Sequence, residues 1–69
     1  MSASYDRAKA RYPEGPRITD MAAEAFGIPE EYWPDIYDLT LAAVAHGHSD
    51  NWEDAAIAAA LEISEEEGR

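Results

Sequence analysis

The chain has 69 residues, no cysteine and a formal net charge of −10. One domain of this size buries only about 60% of the surface its unfolded chain exposes, and without cysteine it has neither a disulfide framework nor a thiolate metal site, so helix packing must supply its stability. Residues 1–17 carry four basic and two acidic side chains, whereas residues 18–68 carry thirteen carboxylates and no lysine or arginine, which argues against direct binding of nucleic acid by the body of the chain.

The expected fold class is all-α, a small bundle of three to four short helices in a single domain, 1–69, made of a basic N-terminal segment (1–17) and an acidic helical body (18–69). Residues 3–11 are compatible with a helix, with Ser4 as its N-cap and Arg7 and Arg11 one turn apart. "YPEGPR" at 12–17 holds two prolines and a glycine in six residues, which predicts a turn or an extended connection. Thr19 is the expected cap of a helix of about seven residues, with Ile18 at the staple position and Gly27 as its left-handed stop.

After Pro29, "PEEYW" reads as one helical turn, and Pro34, comfortable only in a first turn, opens a new helix running from Asp35 to about His46. Ile36, Tyr37, Thr40, Leu41, Ala43 and Val44 share its apolar face, and Gly47 ends it. The last helix begins at a capping-box spacing, Asp50 followed three residues later by Glu53, and runs to about Glu66. No segment has the period of two that a half-buried strand requires. Fourteen alanines permit close helix approach, leaving Trp33, Trp52, Phe26 and the tyrosines to fill most of the core.

The chemistry-bearing groupings are few. His46, His48 and Asp50 alternate in "HGHSD", a conceivable metal site, but a histidine at a helix C-terminus is already favoured by the dipole and Asp50 by its capping role. The chain lacks a nucleophile elbow and a phosphate loop, and its carboxylates have little room for a water-excluding pocket. An enzyme is therefore not expected, and neither is a cofactor. The first residues hold no apolar signal segment, and the longest apolar run falls far short of the roughly 20 residues of a membrane helix; a soluble cytoplasmic protein is expected.

Ala23, Gly27 and Ile28 resemble the small residue, turn glycine and following aliphatic of a helix-turn-helix, but the would-be recognition helix opens with Glu30 and Glu31 and is interrupted by Pro34. An acidic reading surface cannot offset phosphate charge. The closing helix resembles a ubiquitin-interacting motif over about a fifth of the chain. Glu53 and Asp54 stand for its acidic cluster, Ile57 for the first aliphatic, Ala60 for the alanine, Leu61 for its neighbour, Ser64 for the serine and Glu67 for the trailing acid, while Ala55 departs from the third acidic position. The resemblance implies that Ala60 meets the partner's hydrophobic patch, that Ile57 and Leu61 flank it, and that Ser64 bonds to the partner backbone. In size and acidity the chain also resembles small phage-encoded inhibitor proteins.

Geometry adds a reading of its own. At about 100° per residue, Trp52, Ala56, Ala59 and Ile63 form one stripe of the last helix, and Ile57, Leu61 and Ser64 form a second, with Ala60 between. The second stripe is either covered by the first segment or left for a partner. The expected function is a non-enzymatic, acidic protein-binding module, in its sharper form a nucleic-acid mimic that inhibits a basic DNA- or RNA-binding protein. Its expected contacts are Glu53, Asp54, Ile57, Ala60, Leu61, Ser64, Glu65 and Glu67, with Glu30, Glu31, Asp35 and Asp38. Alternatives are a structural subunit that forms homo-oligomers through its alanine faces, and a small metal-binding protein using His46 and His48.

Overall fold

A computed structural model describes residues 3–67 as four α-helices and one 3₁₀ turn, with no strand among the described residues. Helix α1 spans Ala3–Arg11, α2 Gly15–Ala25, α3 Trp33–Ala45 and α4 Trp52–Glu67, and the 3₁₀ turn spans Glu30–Tyr32. The all-α bundle expected from the sequence is the architecture found.

The largest departure concerns α2. It starts at Gly15 with Pro16 in its first turn, not after Thr19, and the preceding Glu14 makes no side-chain cap. The glycine and proline that read as a break are a helix start, because proline's fixed φ suits the first turn, where its missing N–H costs nothing. Thr19 is an interior residue of α2, fully buried, its hydroxyl donating back to the carbonyls of Pro16 (2.9 Å) and Gly15 (3.2 Å). Ser4 likewise lies within α1 rather than ahead of it.

Helices α2 and α3 end alike. Gly27 and Gly47 adopt φ of 69° and 77°. Beyond Gly27, the N–H of Ile28 donates to Ala23 O at 3.0 Å and that of Gly27 to Glu24 O at 3.0 Å; beyond Gly47, His48 donates to Ala43 O at 2.8 Å and Gly47 to Val44 O at 3.2 Å. These are Schellman closures, which satisfy the terminal carbonyls and need a left-handed residue that glycine adopts without penalty. After α2 the closure turns Ile28 into the core beside Ala23. Trp33 then fixes the corner, its indole N–H donating to Ile28 O at 2.8 Å.

Two apolar clusters fill the bundle. One joins Ala23, Ile28, Ile36, Ala59, Ala60 and Ile63 across α2, α3 and α4. The other centres on Trp52, with Ala8 and Leu41, and Tyr5, Tyr12, Ile18, Tyr37 and Val44 pack around it. Trp52 is the largest fully buried side chain, and its indole N–H donates to Gly15 O at 3.0 Å. Tyr12 and Tyr37 rings lie 5.4 and 5.6 Å from its centroid. Phe26, expected in the core, is exposed: it is the C-cap residue of α2, and the closure that follows it sends Ile28 rather than Phe26 into the core. The radius of gyration is 11.3 Å, against about 11 Å for a compact chain of this length, so the helices reach ordinary compactness with small alanine contacts between them.

Candidate interaction surface

Helix α4 is set by a cap one residue from the expected place. Asn51, not Asp50, supplies the oxygen: Asn51 Oδ1 accepts from the N–H of Glu53 at 2.7 Å and of Asp54 at 3.2 Å. Asp50 contributes only its backbone carbonyl, which accepts from the Tyr12 hydroxyl at 3.1 Å. That bond, with the buried Trp52, fixes the rotation of α4 about its axis.

The rotation divides the helix. Trp52, Ala55, Ala56, Ala59, Ala60 and Ile63 are buried, whereas Ile57 is 51% and Leu61 47% exposed. At about 100° per residue these two aliphatics lie some 40° apart on the outward face. Helix α1 does not cover them, since it packs along α3. On the same helical rule Glu53, Asp54 and Glu65, all exposed, lie beside this pair, so the apolar edge has carboxylates next to it.

Ala60 corrects the expected contact set. It is 0% exposed and packs with Ala23, Ile28 and Ile36. Lying between the two stripes, it falls on the inner side, and a folded chain cannot offer it to a partner. Of the residues that resemble a ubiquitin-interacting motif, Ala60 is thus enclosed in this fold, whereas Ile57 and Leu61 are exposed. Ser64 is half-buried and lines a cleft of about 400 Å³ with Phe26, Ile28, Pro29, Glu31 and Tyr32. Glu67 ends α4, and its side chain lies outside the described residues.

The remaining expected residues divide as well. Asp35 and Asp38, both exposed on α3, share a cleft of about 320 Å³ with Leu39, Glu62, Ile63 and Glu66. Glu30 and Glu31, exposed in the 3₁₀ turn, stand apart from that cleft, Glu31 lining the one that holds Ser64. Sequence reasoning missed Glu62, Glu66 and the exposed Leu39 as parts of the acidic surface; the helical registers of α3 and α4 carry them, but their meeting depends on how the two helices cross.

Among the described residues the ion pair present is local, Arg17 Nη1 to Glu14 Oε1 at 3.4 Å, with both side chains largely exposed. Residues 3–17 thus pack against the bundle, and among the described residues their basic side chains form no ion pair with the carboxylates of 18–66. Arg11 sits over the Tyr12 ring at 5.5 Å. His46 meets Tyr5, hydroxyl to Nε2 at 3.3 Å with the rings edge to face, and its centroid lies 6.3 Å from that of His48. Among the described residues no three histidine or acidic side chains converge to hold a metal ion, and no helix is long and apolar enough to cross a membrane.

Comparison with models of protein families, with curated proteins and with solved structures finds no match.

Proposed function

We propose that the chain is a non-enzymatic acidic module that binds a protein partner with a basic surface. Ile57 and Leu61 are its apolar anchors and Glu53, Asp54 and Glu65 the charged rim, with Glu30, Glu31, Asp35 and Asp38 extending the field. What supports this reading above all is that Ile57 and Leu61 stay half-exposed on a helix whose core face is complete without them. Their carboxylate neighbours have no basic partner among the described residues. Such an arrangement steers encounter through charge and holds the complex through a few desolvated side chains.

The partner class with the matching chemistry is a DNA- or RNA-binding protein, whose lysines and arginines would meet carboxylates in place of phosphates. The sharper form of the proposal is accordingly a nucleic-acid mimic acting as an inhibitor. The test is affinity capture from a lysate of the source organism or its host at two salt concentrations, with the wild-type chain and the Ile57→Ser/Leu61→Ser variant side by side. A partner released by the variant, by salt and by competing duplex DNA is expected. Retention unaffected by both the variant and salt would sink the proposal, and release by salt but not by DNA would remove the mimic.

A further inference from the structure

A second feature lies on the other side of the bundle, where α2 meets the start of α3. Pro16 and Asp20 from α2 face Trp33, Pro34, Tyr37 and Asp38 from α3 across a cleft of about 260 Å³. Trp33 and Tyr37 stand one helical turn apart, so their side chains are neighbours on one face of α3. Both are half-buried and held: the indole N–H of Trp33 is bonded to Ile28 O, and the Tyr37 ring packs on Trp52 at 5.6 Å. The walls are thus aromatic and proline, rigid and apolar, while Asp20 and Asp38 bring two exposed carboxylates to the same cleft. Neither carboxylate has a basic partner among the described residues.

Aromatic faces and carboxylates attract the same kind of group. A cation gains from the negative face of a ring and from the charge of the acid. The cleft lies below the roughly 300–1,000 Å³ of pockets that take drug-sized ligands, which suits one side chain better than a free metabolite. Of the two cationic side chains, a guanidinium can lie flat on a ring while its N–H fork meets a carboxylate, and it gives up its hydration more readily than an ammonium.

We propose that this cleft is a receptor for an arginine side chain, its guanidinium stacked on Trp33 or Tyr37 and bonded to Asp20 and Asp38. That the arginine belongs to a protein partner rests on the function proposed above; that the cleft binds a guanidinium does not. The site is separate from the Ile57 and Leu61 edge, so a partner that used both would be gripped on two faces.

The experiment titrates the full chain with N-acetyl-arginine amide, its lysine counterpart and its uncharged isostere N-acetyl-citrulline amide, read by amide and aromatic NMR shifts. Saturable shifts at Asp20, Trp33, Tyr37 and Asp38 are expected for arginine, several-fold weaker binding for lysine and none for citrulline. The Asp20→Asn/Asp38→Asn variant, altered only at exposed positions, should bind about tenfold more weakly. Shifts spread evenly over the acidic surface without saturation, or an unchanged affinity in the variant, would overturn the site; equal binding of lysine would overturn the guanidinium assignment. Saturation here without any captured partner would refute the proposed function alone, whereas a captured partner with no saturation here would refute this site alone.

Discussion

The indole N–H of Trp52 reaches across 37 residues of chain to the carbonyl of Gly15, at 3.0 Å, and the indole's six-membered ring lies against the same glycine's α-carbon. A β-carbon at Gly15 would stand 2.7 Å from Cζ2 and 2.9 Å from Cε2 of Trp52. The glycine is required by this close approach, which lets the first turn of α2 seat the one large, fully buried aromatic.

Gly15→Ala is therefore expected to destabilise the fold. In the first turn of a helix the same change alone would stabilise by roughly 0.5–1 kcal/mol through chain entropy, whereas displacing a packed indole costs about 1–3 kcal/mol. The second effect wins, lowering the melting temperature by about 4–8 °C per kcal/mol lost in a domain this small. Thermal unfolding followed by circular dichroism, with Trp52 fluorescence as a local probe, measures it; a raised melting temperature would show that the indole moves aside freely.

The cap of α4 gives a second comparison. Asn51→Ala removes the acceptor of the Glu53 and Asp54 N–H groups and should cost about 1 kcal/mol. Asp50→Ala leaves the carbonyl that accepts from Tyr12 in place, and its effect should stay within about 0.5 kcal/mol. Chemical denaturation of both variants separates them, and the reverse order would return the capping role to Asp50.

The features that read correctly from the sequence are those decided within a few residues. Gly27, Gly47 and Pro34 act through backbone geometry that no tertiary contact needs to supply: both stops stand where expected, and α3 begins at Trp33, two residues before the expected Asp35, with Pro34 in its first turn. Thr19 was ambiguous because a threonine bonds equally to N–H groups ahead of it as a cap or to carbonyls behind it inside a helix; Pro16, three residues earlier, decided for the second. Asp50 and Asn51 are chemically equivalent cap candidates, and only the pinning of Tyr12 on the Asp50 backbone selects between them. The divided character of α4 was legible from its period, but the side on which Ala60 falls was not. That depends on how closely α2 approaches, which is set by Ala23 and Ile28 elsewhere in the chain. The cleft at Trp33 was invisible for the same reason: Pro16 and Asp20 meet Trp33, Tyr37 and Asp38 only through the α2–α3 crossing.

Uncompensated charge leads to a third expectation. The ion pair of Arg17 with Glu14 is exposed, and such pairs are worth about 0–1 kcal/mol, so added salt has little attraction to screen. It has much repulsion to screen, because Asp35, Asp38, Glu62 and Glu66 line one cleft. Stability should rise as salt increases toward 0.15 M, roughly, where the screening length falls to about 8 Å. Glu62→Lys, in the lining of that cleft, should raise the melting temperature at low salt and lose much of its advantage at high salt. A chain that melts earlier as salt is added would contradict this account.

The two sides of α4 can finally be set against each other. Ile57 and Leu61 already expose about half their surface, so replacing either with serine forfeits only part of the roughly 1.5–3 kcal/mol that full burial of such a side chain is worth. The Ile57→Ser/Leu61→Ser chain should remain folded, with a cooperative melt only modestly lowered. Ala60 is in the opposite situation: it is fully enclosed among Ala23, Ile28 and Ile36, and Ala60→Leu must force helices apart at about 1–3 kcal/mol or more. Partner binding and stability should thus separate by residue, the serine variant losing the partner while keeping the fold and Ala60→Leu losing fold first. Ubiquitin supplies a direct control, since in the intact chain the inward position of Ala60 denies it the alanine contact. Titration with ubiquitin should leave the Ala60 methyl resonance unmoved while the chain stays folded; a saturable shift of that methyl would mean that α4 leaves the bundle to bind.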